Sequence, residues 1–225
     1  EGGCKCVDRH IVADYLDIRG ELPPADYRHY APECTSTTQL AQGTHKRTEA
    51  NGFLGKETKA SLEFNDVVSE MVAEIRAELR RNDRFAFTIE QPVSGNVTKI
   101  PMFKSISEMP GVHCATITMC KFGVKYLKPT YIWTNVKPLF DALEDCKCSA
   151  DYPCANYNNH DDVRGNTTAC TPYPEELCAM IKRYVTRHVA TRRFEPFWRP
   201  RDEKDNDATA PFVCPSGLCV RCEPE

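Results

Sequence analysis

Residues 60–92 read ASLEFNDVVSEMVAEIRAELRRNDRFAFTIEQP, and two periodicities meet inside that stretch. Val68, Met71, Val72, Ile75 and Leu79 recur at three- and four-residue spacing, with Glu70, Glu74, Arg76, Arg80 and Arg81 between them. That is the pattern of an amphipathic helix burying one side. Asn82-Asp83 ends it, and Phe85–Ile89 follows as a short apolar run that predicts a buried strand. The strand would deliver Glu90-Gln91-Pro92 to the next loop.

Working upstream, Tyr27–Ala31 is aromatic-rich and runs into the polar segment Pro32-Glu33-Cys34-Thr35-Ser36-Thr37-Thr38, so a strand should end just before Cys34. Strand, helix and strand in succession predict a parallel pair with a right-handed crossover. Between them, residues 41–58 are polar and rich in Gly and Thr, and read as a long mobile loop. Ile11–Tyr15 reads as a further strand, stopped by Gly20 and Pro23-Pro24. Downstream, Cys114–Cys120 and Thr130–Thr134 predict an antiparallel pair joined through Gly123 and Lys128-Pro129. A C-terminal helix is expected from Pro174 to His188, with proline at its start and Leu177, Ile181 and Val185 on one face. The expected fold is α/β, a parallel sheet with an antiparallel pair, followed by a Cys/His-rich loop and a C-terminal helix.

A chain of 225 residues suits one main core. The expected division is an unassigned segment over 1–10, a domain over 11–190 that includes the Cys/His-rich loop 144–170, and a polar tail with a cysteine cluster over 191–225. The formal charge of −3 argues against attachment to nucleic acid through overall charge, although a local patch can still do so. The basic run over 182–204 reads as a solvated helix face and tail. No apolar run approaches the length of a bilayer span, and no basic-then-apolar leader is visible, which favours an intracellular chain. The sequons at Asn96 and Asn166 would matter only in a secreted one.

Ligands of parallel sheets collect beyond the carboxyl ends of the strands, so Cys34 and Glu90, at the ends of neighbouring strands, should face one crevice. A thiolate there can add to an electron-poor ring carbon while an acid engages a ring nitrogen. The competing reading makes Cys34 a small buried apolar residue and Glu90 a loop carboxylate.

The order Asp14, Ala31-Pro32-Glu33-Cys34-Thr35-Ser36, Ile89-Glu90-Gln91-Pro92, Cys120-Lys121-Phe122-Gly123 and Lys128-Pro129-Thr130-Tyr131-Ile132-Trp133-Thr134-Asn135 resembles DNA cytosine-5 methyltransferases, the small phage-type and plant-type members above all. The likeness runs over roughly residues 11–187, through Tyr173-Pro174-Glu175-Glu176-Leu177-Cys178. It implies a partial Rossmann-like methyltransferase sheet, DNA as partner and S-adenosylmethionine as methyl donor. Carried over residue by residue, Cys34 would be the nucleophile, Glu90 the group at cytosine N3, and Lys128 the basic position ahead of Trp133-Thr134-Asn135. Four departures accompany it. Glu33 separates Pro32 from Cys34 and should raise the thiol pKa by like-charge repulsion, Gln91 stands where an asparagine is usual, Leu127-Lys128-Pro129-Thr130 carries only one of the usual basic residues, and the donor's glycine-rich loop would have to precede Ile11. These departures give the alternative expectation of a catalytically inactive, methyltransferase-like domain serving protein partners in a larger assembly.

Thirteen cysteines make an odd count, so at least one has no intrachain disulfide partner. Cys146, Cys148, Cys154 and His160 are the expected metal set, since three thiolates and an imidazole suit tetrahedral zinc and residues 144–168 hold few aliphatic side chains. Disulfides or unmodified thiols are the other readings there. Cys214, Cys219 and Cys222, with Cys4 and Cys6, offer a second knot or disulfides. Cys34, Cys114 and Cys120 lie among apolar runs, as chemistry or core.

Overall fold

The computed structural model describes residues 25–37, 42–93, 96–161 and 172–193. The expected strand over Ile11–Tyr15, the segment 1–10, the second cysteine knot, the Asn166 sequon and most of the polar tail lie outside them.

The first strand, β1 (Tyr27–Tyr30), precedes the Cys34 turn. A one-turn helix, α1 (Gln42–His45), and a 3-10 turn at Glu49–Asn51 follow. The long helix α2 (Lys59–Arg81) comes next, its start capped by the Thr58 side chain on the Ser61 amide and its end by Asn82. It buries Phe64, Val67, Val68, Met71, Val72 and Ile75; of the stripe its spacing foretold, Val68, Met71, Val72 and Ile75 are buried and Leu79 is partly so. Then come β2 (Ala86–Pro92), α3 (Pro101–Ser107), β3 (His113–Thr118), β4 (Pro129–Thr134), α4 (Lys137–Glu144) and α5 (Glu175–Arg193).

The sheet order is β1-β2-β4-β3. β1 and β2 are parallel, with Tyr30 opposite Ile89. β4 runs antiparallel to both β2 and β3. The fold is therefore mixed α/β with one parallel pair. On one face, Phe87, Ile89 and Trp133 pack against Phe64, Met71 and Ile75 of α2 and Phe103 and Ile106 of α3. On the other, Ala86, Ile117 and Ile132 pack against Leu139 and Leu143 of α4 and Leu177 and Val185 of α5. Helices on both faces explain why Ala86 to Gln91 are all buried rather than alternately so.

Three expectations change. β2 continues through Glu90, Gln91 and Pro92, which pair with Ile132, Tyr131 and Thr130, so Glu90 is a strand residue. The longer ladder holds because β4 supplies partners beyond Ile89. Residues 42–58 are built around Arg47, which is 1% exposed. Its guanidinium donates to the carbonyl and hydroxyl of Ser36, the Phe53 carbonyl and Asn65, and lies over the Phe64 ring. A segment that looks mobile by composition is thus held by one buried side chain. Gly55 is required at its close: φ is +82°, and a Cβ would come within 3.1 Å of the His45 carbonyl. Helices α3 and α4, which the sequence reading passed over, each have proline in the first turn, a legible start signal.

Among the described residues no helix is long and apolar enough to cross a membrane.

Candidate functional site

Backbone pairing of β1 with β2 brings the Cys34 turn beside the end of β2. Cys34 follows β1 by four residues, and its carbonyl accepts both the amide and the hydroxyl of Thr37 at 2.9 and 2.8 Å. The turn is pinned on two sides. Gln91 donates its side-chain amide to the Pro32 carbonyl, and Arg47 holds Ser36. Gln91, at the position where the resemblance expects asparagine, therefore anchors the Cys34 turn.

Glu90 is only 6% exposed. Its Oε1 lies 3.4 Å from the ammonium of Lys128, close but poorly aligned for a hydrogen bond, and its Oε2 accepts from the Tyr173 hydroxyl at 3.3 Å. Burial pushes the Cys34 thiol above its ordinary pKa, the Glu90 carboxylate raises it further, and Lys128 pulls it down. Glu33, the expected cause, has the smallest effect. Cys34, Glu90 and Lys128 thus form one electrostatic group, in which the thiol stays protonated at neutral pH.

Two further residues join this group. His29 Nδ1 lies 2.7 Å from the Thr88 hydroxyl and Nε2 lies 3.2 Å from the Tyr173 hydroxyl. His29 opens onto a groove yet is surrounded by protein on its other sides, which pushes its pKa down to about 4 and leaves a neutral ring bridging two hydroxyls. The groove, about 520 Å³, is lined by Tyr27, His29, Ile132, Tyr173, Leu177 and Val185 among others; Cys34 and Glu90 are not among its walls. The sequence marks Tyr173 only as part of the stretch ahead of the C-terminal helix; its place beside Glu90, 83 residues away, comes from the fold. Trp133-Thr134-Asn135 is structural: Trp133 and Thr134 are fully buried, and Asn135 bonds the Phe85 carbonyl and Phe87 amide at the opposite end of β2.

A second group gathers Cys120, Cys148, Cys154 and His160, whose donor atoms all lie within 4.8 Å of one another. Such a set can hold a metal ion. It corrects the expected set at one position. Cys146 is outside it, its thiol directed at the Ala142 carbonyl 3.3 Å away, and Cys120 takes its place. Cys146 follows α4 directly and points back along that helix, whereas Cys120 sits in the 3-10 turn Met119–Phe122 facing the loop. Within the group, burial tends to raise the Cys154 pKa, but hydrogen bonds from His160, the Asn156 backbone, Cys148 and Cys120 bring it down to about 7. Burial drives Cys120 up to about 12. The described cysteines are all free thiols.

No family model matches the chain, and no curated protein or solved structure gives a significant match.

Proposed function

We propose that the chain is a methyltransferase-like domain whose Cys34 and Glu90 act on a cytosine base of DNA, in the manner of the DNA cytosine-5 methyltransferases it resembles. The observation that supports this most is the convergence of a thiol, a buried carboxylate and an ammonium at the ends of two parallel strands and the start of β4. In this reading the Cys34 sulfur forms a bond to C6 of a cytosine turned out of the duplex. The C5–C6 double bond opens, and its electron pair moves toward C5 and N3, where the Glu90 carboxyl holds the proton. The resting thiol is protonated, so base binding must also favour the thiolate. The thiol proton passes to the Glu90 carboxylate, which shares it with N3; this neutralises the charge that raises the thiol pKa, while Lys128 continues to stabilise the anion. Tyr173 positions the carboxyl through Oε2.

S-adenosylmethionine would supply the methyl group. The described strands lead into no glycine-rich turn suited to it, and the segment where the resemblance puts that turn lies outside the described residues. The raised thiol pKa favours a second reading, an inactive domain serving a larger assembly. Zinc belongs to either reading as a structural ion rather than a reacting one.

The test is covalent trapping. Duplex DNA carrying 2-pyrimidinone in place of cytosine adds thiolates without needing a methyl donor. A denaturation-resistant adduct on the Cys34 peptide, absent in Cys34→Ser and reduced in Glu90→Gln, is expected. No adduct at any pH up to 9 would leave the structural reading in its place.

A further inference from the structure

We infer that Cys120, Cys148, Cys154 and His160 hold one zinc ion, which clamps the 119–128 segment and so sets Lys128 against Glu90. This inference stands whether or not Cys34 adds to a base.

The donor set is the first argument. Three soft sulfurs and one imidazole nitrogen in a cluster suit tetrahedral zinc. With Zn–S near ~2.3 Å and Zn–N near ~2.0 Å, donors of such a shell lie about 3.5–3.8 Å apart. Cys154 Sγ is already 3.1 Å and Cys148 Sγ 3.9 Å from His160 Nε2, and no pair exceeds 4.8 Å. Shifts of about an ångström or less complete the shell, well within side-chain rotation.

The loop itself is the second. Residues 147–161 carry two aromatic side chains, and both Tyr152 at 70% and Tyr157 at 37% are exposed. Burial therefore cannot order this segment. It nevertheless has a defined course, made of polar contacts to the β3–β4 connection. Thr118 receives the Cys148 amide at 2.8 Å, Lys121 donates to the Tyr152 and Pro153 carbonyls, and the Asp161 amide reaches the Lys125 carbonyl at 2.9 Å. Individually exposed hydrogen bonds of this kind contribute little net stability. A metal bound by both sides of the contact would fix them together.

The third argument is where the ligands sit. Cys120 comes from the turn after β3, and its neighbour Met119 donates its amide to the Lys128 carbonyl at 3.1 Å. Lys128 in turn faces Glu90. The cluster is thus one backbone hydrogen bond from Lys128, which makes the four ligands positioning residues for it.

The test uses the full chain, purified under reducing conditions without added metal. One zinc per chain is expected. Cobalt(II) exchanged into the site should give sulfur-to-cobalt charge-transfer bands and the intense visible bands of tetrahedral coordination. Cys148→Ser should lose at least tenfold in zinc affinity, while Cys146→Ser keeps full stoichiometry and the cobalt spectrum. Chelation should speed amide exchange over 118–128 and 146–161 and spare β1 and β2. The inference is overturned by zinc-free protein, by octahedral cobalt bands, by a disulfide among these thiols in the fresh protein, or by loss of metal in Cys146→Ser with retention in Cys120→Ser. Unchanged exchange at 118–128 after chelation overturns the clamp. If Cys148→Ser does not fold, the wild-type cobalt spectrum and Cys146→Ser still decide the ligand set.

Discussion

Cys34 and Glu90 owe their proximity to two neighbouring parallel strands whose partners and faces are fixed by burial. Cys120, Cys148, Cys154 and His160 come instead from a turn and a loop in which both tyrosines are exposed. In the first region the scaffold precedes the chemistry: remove the thiol and the strands remain. In the second the donor atoms are themselves the most favourable interactions available, so the chemistry precedes the scaffold. The two regions meet just ahead of β4, where the Lys128 side chain faces Glu90 and the Lys128 carbonyl accepts the Met119 amide. Their dependence on burial should separate them in experiment.

The largest effect is expected at the shared strand. Trp133 is fully buried against Phe103 and Tyr131, and its indole N–H donates to the Ser107 hydroxyl at 2.9 Å. Trp133→Ala should cost about 3–5 kcal/mol, measured by urea unfolding, and should lower metal retention and Cys34 protection together. Loss of one without the other would show that β4 does not couple the regions.

A smaller, one-sided effect is expected from Arg47→Met, which removes the guanidinium from Ser36, Phe53 and Asn65 and leaves buried carbonyls unpaired. It should cost about 2–3 kcal/mol and expose the Cys34 turn to proteolysis, with zinc stoichiometry unchanged. A simultaneous loss of metal would break the distinction between the regions.

The smallest effect is electrostatic. The Cys34 pKa is raised, so the thiolate is scarce at neutral pH and alkylation by iodoacetamide should rise only as pH climbs through and beyond the ordinary thiol range. Glu90→Gln removes a contribution that raises the pKa, so its alkylation profile should shift to lower pH and run a few-fold faster near pH 8; Lys128→Met should shift it the other way. Coincident profiles for the three proteins would remove Cys34 from the electrostatic group.

The sequence by itself determined the amphipathic helix α2, the parallel pair on either side of it, the antiparallel pair and the gathering of Cys148, Cys154 and His160, because helix and strand periodicities and close ligand spacing are local properties of the chain. It also led to Cys34, Glu90 and Lys128, through the order of short motifs. What only the tertiary structure decided depended on contacts between distant residues. Arg47 turned a segment of loop-like composition into an anchor by finding neutral acceptors on three separate stretches. Tyr173 reached Glu90 across the sheet. Cys120 replaced Cys146 as the fourth donor, because the carboxyl end of α4 turns Cys146 back onto its own helix while the turn after β3 aims Cys120 at the loop. Spacing counts residues along the chain, and a metal shell forms from directions in space; the two coincide for Cys148 and Cys154 and diverge where a helix end intervenes.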